Sequence, residues 1–115
     1  MDRADIQYAT KEVCRAMARP TRGGWRSLKR ITRYLIGARR LVSTFSWQGR
    51  MAVVKGYSDS DWAGCKATGK STSGGAISVG THCVKSWSST QKTVALSSGE
   101  AELIALVKML SLIHI

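Results

Sequence analysis

The chain has 115 residues, 43% of them hydrophobic, which suits one ordinary domain or pieces of two neighbours and argues against disorder. Its formal net charge is +11, concentrated in residues 1–50, where 12 Lys and Arg face 3 Asp and Glu; the rest of the chain carries only +2. Such a basic half beside a nearly neutral one points to a polyanion partner. No apolar run reaches the length of a membrane span and no secretory signal opens the chain. Cys14, Cys65 and Cys83 have no paired spacing, which reads as reduced thiols of an intracellular protein rather than a disulfide frame or a zinc site.

In chain order, Ile6, Ala9, Val13 and Ala16/Met17 recur at helical spacing, with Asp2 or Asp5 as N-cap and Pro20 as the stop. Thr21-Arg-Gly-Gly24 reads as a turn. A second helix follows, with Trp25, Leu28, Ile31/Thr32 and Leu35 on its apolar stripe and Gly37 at its C-cap. Arg26, Lys29, Arg30 and Arg33 lie off that stripe and form a basic face for nucleic acid. A basic amphipathic helix can also lie on a membrane, but no second anchor accompanies this one, so no membrane partner is expected. The pattern of 41–47 then alternates like a strand, and Met51–Tyr57 reads as a second, buried strand that runs into Ser58-Asp59. Residues 64–75 are rich in Gly, Ser and Thr and read as a loop. Residues 76–79 and 83–87 read as strands joined at Gly80. Ser97-Ser-Gly-Glu100 has the character of a capping box, opening a helix through Val107. Trp47, Trp62 and Trp87 are expected in the core rather than as base stackers.

The chemistry lies in two blocks, Gly56-Tyr-Ser-Asp-Ser-Asp-Trp-Ala-Gly64 and Thr93-Val-Ala-Leu-Ser-Ser-Gly-Glu-Ala-Glu-Leu-Ile-Ala-Leu106. Together they place a strand carboxylate opposite a helix carboxylate. Hydrolysis of phosphodiesters by two Mg²⁺ ions needs carboxylates converging from different elements. Asp59, at the strand end, suits a first ligand, and Asp61 falls on the same side of an extended chain. Glu100 and Glu102 are about 200° apart on a helix and cannot share one metal. Glu102 lies in the apolar-leaning stretch, whereas Glu100 has a capping role. Acidic residues in turns and at helix starts also serve purely structural ends. Lys70-Ser-Thr-Ser-Gly74 lacks the spacing of a phosphate loop. His82 and His114 stand alone, without metal-ligand spacing.

From Gly56 to Val107 the chain closely resembles the ribonuclease H domain of Ty1/copia-type retrotransposon Pol polyproteins. The resemblance rests on the first block, on Lys70-Ser-Thr-Ser-Gly74, on Ser86-Trp-Ser-Ser-Thr-Gln-Lys-Thr-Val-Ala-Leu-Ser-Ser98 and on Glu100-Ala-Glu102. Residues 2–36 resemble the segment joining reverse transcriptase to that domain, in Ala4-Asp-Ile-Gln-Tyr-Ala9, Arg19-Pro-Thr21 and Trp25-Arg-Ser-Leu-Lys-Arg-Ile-Thr-Arg-Tyr-Leu35. The resemblance implies an α/β (α+β) architecture: two basic helices, then a truncated ribonuclease H-like fold with a three-stranded antiparallel start of a mixed sheet and the first helix. Residues 1–40 would be the reverse transcriptase end and connection, and 41–109 a partial ribonuclease H-like domain. The parent would cut the RNA strand of RNA–DNA hybrids with four acidic residues and two Mg²⁺ ions. Asp59 matches the strand aspartate and Glu102 the helix glutamate, as catalytic residues and metal ligands; Asp61 and Glu100 are weaker matches. The implied setting is a cytoplasmic virus-like particle or the nucleus.

The other two acidic positions of the family fall beyond this chain, so it is expected to be inactive alone, with an open sheet edge and an uncovered apolar face. Leu110-Ser-Leu-Ile-His-Ile115 is also what CTG TCT CTT ATA CAC ATC encodes, the transposase mosaic end of sequencing adapters, and residues 110–115 are read as an adapter tail. The alternative to an enzyme piece is a non-catalytic, basic nucleic-acid-binding remnant. A host-adopted scaffold is a third reading, with nothing in the sequence for it beyond the missing carboxylates.

Overall fold

The computed structural model describes residues 3–50 and 53–114 and forms two compact units, 1–45 and 46–115. Asp2, Met51, Ala52 and Ile115, on which some sequence expectations fall, lie outside the described residues.

The first unit is a helix pair. A single 3₁₀ turn, Ala4–Ile6, leads into α1, Gln7–Arg15, and α2 spans Arg22–Gly37. Thr21 is the N-cap of α2, its hydroxyl accepting from Gly24 N at 3.1 Å. The expected turn at 21–24 is therefore already the first turn of the helix. The C-cap is Ala38 rather than Gly37. Val13, Ala16, Met17, Pro20, Thr21, Gly24, Trp25 and Leu28 line a shallow apolar cleft between α1 and α2.

Asp5 is not a helix cap. Ile6 takes the N-cap position of α1 without a side-chain bond. The Asp5 carboxylate instead receives Arg3 Nε at 2.9 Å and Nη2 at 2.7 Å, and Tyr34 Oη on α2 at 2.8 Å. The bond from the Arg3 guanidinium, aided by that from Tyr34, holds the carboxyl well below the usual carboxylate range. A carboxyl depressed on folding stabilises fully above its unfolded pKa and loses that contribution as pH falls through the folded value. The tie should therefore be constant from neutrality to about pH 5 and fade only below about pH 4. Following the Tyr34 ring resonances against pH checks this; a transition near pH 6 would contradict it, and Asp5→Asn should remove the acid transition.

The second unit is a three-stranded antiparallel sheet in the order β1-β2-β3, with β1 Val54–Ser60, β2 Thr72–Val79 and β3 His82–Thr90, backed by α3, Ser98–Ile113. The β2–β3 ladder shifts register at Ile77/Ser78. Two close approaches lock strand to strand and sheet to helix. Gly75 lies under the Trp87 ring, and any side chain there would run into that ring and into Tyr57 O. Gly56 lies under the Met109 thioether in the same way. Ile77, Trp87 and Met109 form the buried cluster, flanked by Leu112.

Several sequence expectations are corrected. Residues 41–47 form no strand; alternation alone gives them no partner ladder. Side chains hold the end of this stretch instead: Gln48 Nε2 donates to Val79 O at 3.1 Å, Gln48 Oε1 accepts from Thr81 N at 3.0 Å, and Ser46 O meets the His82 ring at 2.8 Å. The loop expected over 64–75 ends at Ser71, and β2 begins with Thr72. β1 is largely exposed rather than buried. Trp87 is core, but Trp62 is 57% and Trp47 96% exposed. Among the described residues no helix is long and apolar enough to cross a membrane.

Candidate functional site

Four carboxylates fall in the two blocks, and the fold divides them. Asp61 lies just past β1 and does not continue its alternation. Its backbone N donates to Thr72 O at 3.1 Å, while its Oδ1 accepts from Thr72 N. With Ala63 N on Ser71 Oγ at 3.1 Å, these bonds close the loop between β1 and β2. Glu100 is equally occupied. Ser97 Oγ accepts from Glu100 N at 3.2 Å, and Glu100 Oε2 accepts from Leu96 N at 2.7 Å, one residue earlier than a reciprocal capping box requires.

Asp59 and Glu102 differ. Both are exposed, and among the described residues neither has a hydrogen-bond or ion-pair partner. The exposure of Glu102 corrects its expected place in a buried stretch. Its neighbours on α3 account for this, since Ala101, Ala105 and Met109 carry the buried face and Glu102 lies at its margin.

Two fixed points set α3 against the strands. Met109 covers Gly56, and at the other end Gln91 Nε2 donates both to Ser73 Oγ and to Ala101 O, each at 2.9 Å. Ser73 is paired with Ser60. The N-terminal turns of α3 therefore stand at the end of the sheet where β1 finishes, so Asp59 and Glu102 share one end of the unit. They do not share one surface. Gly56 and Ser60 face α3, and alternation turns Asp59, with Tyr57, to the opposite face.

Among the described residues no group of three or more His, Cys, Asp or Glu can hold a metal ion. Asp59 and Glu102 are hard oxygen donors of the right kind for Mg²⁺, but two carboxylates on different faces are too few to hold two Mg²⁺ ions. No catalytic step is assigned to these residues alone.

Sequence reasoning missed Gln91. It is 5% exposed and links β2 to α3, while its Oε1, Ser60 Oγ and Trp87 Nε1 are buried without a partner among the described residues. A single amide in a Ser/Thr-rich stretch leaves no periodic signal. In the other unit, Arg26, Lys29, Arg30 and Arg33 are all exposed and, at spacings of three and four, share one face of α2. Lys29 Nζ also sits 5.5 Å from the Trp25 ring centroid.

The class defined so far is a small mixed α/β unit with free carboxylates at one end, accompanied by a basic helix pair. The chain belongs to the family of retrotransposon Pol polyproteins. It is 43% identical over 101 residues to the retrovirus-related Pol polyprotein from transposon RE1 of Arabidopsis thaliana, covering 87% of this chain and 7% of that protein. It is 38% identical over 107 residues to an uncharacterized mitochondrial protein of Arabidopsis thaliana, covering 92% of this chain and 44% of that protein. It is also 38% identical over 104 residues to the secreted RxLR effector protein 161 of Plasmopara viticola, covering 90% of this chain and 72% of that protein. The chain thus spans less than half of the mitochondrial relative and a small part of the polyprotein. No protein-family model and no solved structure matches it.

Proposed function

We propose that the chain is the connection between reverse transcriptase and ribonuclease H together with the first half of the ribonuclease H domain in a Ty1/copia-type polyprotein. In this reading residues 1–40 belong to the connection and 41–109 to the domain. The whole protein hydrolyses the RNA strand of RNA–DNA hybrids with Mg²⁺, inside virus-like particles or the nucleus. Asp59 and Glu102 are the motif-matched candidates for two of its four acidic ligands, although β1 turns Asp59 to the face away from α3, and the rest of the polyprotein supplies the others. The observation that supports this most is the division of the carboxylates: the backbone occupies Asp61 and Glu100, whereas Asp59 and Glu102, the two positions matched by motif, are exposed and without a partner among the described residues.

The test uses an end-labelled hybrid and the chain carried in its polyprotein. RNA-strand cleavage that needs Mg²⁺ and spares single-stranded RNA is expected; no cleavage, or cleavage that survives chelation, contradicts the proposal.

A second reading is favoured by the four exposed cations on one face of α2. On it the chain alone is a non-catalytic nucleic-acid-binding module acting through phosphates. Affinity of roughly 10⁻⁴ to 10⁻⁶ M, weakening steeply with salt, is expected with or without Mg²⁺. Arg26→Ala and Arg33→Ala should each weaken it and reduce its salt dependence; unchanged binding in both would exclude α2 as the contact.

A further inference from the structure

The two ends of α3 are held by different physics. Towards its C-terminus, Met109 packs with Ile77 and Trp87, and its thioether fills the space above Gly56. Eight residues earlier, about 12 Å back along the helix axis, the buried side chains are those of Ala101 and Ala105, both fully enclosed. Two methyl groups exclude water but offer little shape to key a helix in place. Glu102 is carried on this end of α3.

Gln91 supplies the missing direction. Its backbone belongs to the sheet, since Gln91 N donates to Ser71 O at 2.8 Å just past the β2–β3 ladder. Its side chain joins sheet to helix: Nε2 gives one proton to Ser73 Oγ and the other to Ala101 O, each at 2.9 Å. A backbone carbonyl can only accept, so the amide nitrogen must face Ala101 and the orientation of the amide is fixed. Ala101 is the residue before Glu102. Trp62 Nε1 also ties the preceding loop, donating to Ala95 O at 3.3 Å, but that bond ends two residues before the Ser97 cap.

Stability does not account for this amide. The donations from Nε2 are favourable, but Oε1 is buried with no partner among the described residues, and such an acceptor costs about as much as one or two hydrogen bonds contribute. The two sides of the amide therefore nearly cancel. Because Oε1 is sealed inside the unit, a group arriving from outside does not reach it. What the amide adds is a directional contact at the end of α3 where packing gives none.

We propose that Gln91 is a positioning residue: its amide fixes the first turns of α3, and with them Glu102, against the sheet, contributing placement rather than net stability. This rests on the reading of Glu102 as a working carboxylate of the polyprotein. It does not involve Asp59, which β1 carries on its other face.

Gln91→Met tests it, keeping the length of the side chain while removing both donations and the unpartnered oxygen. A displacement near 1 Å costs up to about 100-fold in rate, so kcat for hybrid cleavage by the polyprotein should fall by about tenfold or more with KM unchanged. The urea midpoint of the 115-residue chain should stay within error of wild type. Independently of cleavage, amide hydrogen exchange at Leu103, Ile104 and Ala105 should quicken several-fold while that at Met109 is unchanged. Gln91→Asn, whose amide is one methylene short of reaching both partners, should show the same pattern of exchange and kcat. Loss of cleavage that only tracks a lowered midpoint, a raised KM at unchanged kcat, or wild-type exchange throughout α3 in both variants overturns the proposal. A wild-type polyprotein that leaves hybrids uncut refutes the reading of Glu102 and takes the catalytic part of the proposal with it, while exchange still decides whether Gln91 holds α3.

Discussion

Asp59→Asn and Glu102→Gln, each in the full polyprotein, are expected to reduce RNA-strand cleavage by more than about 100-fold, because even groups one shell removed from a metal cost roughly 10–100-fold when lost. Both side chains are exposed and without partners among the described residues, so neither change should disturb folding. Asp61→Asn should behave in the opposite way. Asp61 closes the β1–β2 loop through Thr72, and weakening that bond should cost about 1 kcal/mol of stability while leaving the chemistry in place. Cleavage rates and urea midpoints measured on the three variants separate the two roles. Equal loss of cleavage from all three, with stability unchanged, would contradict this assignment.

Trp87→Ala is expected to have the largest effect on folding. The indole is 9% exposed, lies over Gly75 and forms the buried cluster with Ile77 and Met109. Truncating a core tryptophan costs about 3–5 kcal/mol. A unit of this size has only about 4–10 kcal/mol in total, so the variant should be largely or wholly unfolded near room temperature. The buried Nε1 has no partner among the described residues, so its removal breaks no hydrogen bond and relieves a cost of about 1–3 kcal/mol that offsets only part of that loss. Gly75→Val attacks the same contact from below, since its side chain meets both the ring and Tyr57 O. Urea denaturation followed by far-ultraviolet circular dichroism measures both. A midpoint within experimental error of wild type for either variant would mean that this packing does not hold the sheet together.

The parts of the fold that are legible in the sequence carry local instructions. Ser97 caps α3 as its spacing to Glu100 implies, and the apolar stripe of α2 is set by residues three and four apart. The turn at Gly80 has the positive φ that glycine favours, 59°. Sequence and structure part where an element depends on distant partners. The alternation of 41–47 matches a strand, yet strands need a neighbouring ladder, and the stretch is held instead by the Gln48 side chain on Val79 O and Thr81 N and by the His82 ring on Ser46 O. Aromatic size alone predicts Trp47 and Trp62 inside, whereas of the three only Trp87 joins the buried cluster with α3. Asp5 has the position of a cap, but Arg3 and Tyr34 take its carboxylate instead. The carboxylates are the most legible part of the candidate site. The turn-forming use of Asp61 and the capping use of Glu100 follow from residue type and spacing. The orientation of Asp59 relative to α3 does not, because it depends on which face of β1 the helix covers.

Whether Glu102 holds a catalytic metal is tested most sharply by the Mg²⁺ dependence of RNA-strand cleavage by Glu102→Asp in the polyprotein. This change keeps the charge and withdraws it by one methylene. Residual cleavage is expected, with half-saturation moved to Mg²⁺ concentrations about tenfold higher or more. Cleavage with the wild-type Mg²⁺ dependence, whatever its maximum rate, would contradict a metal-holding role for Glu102.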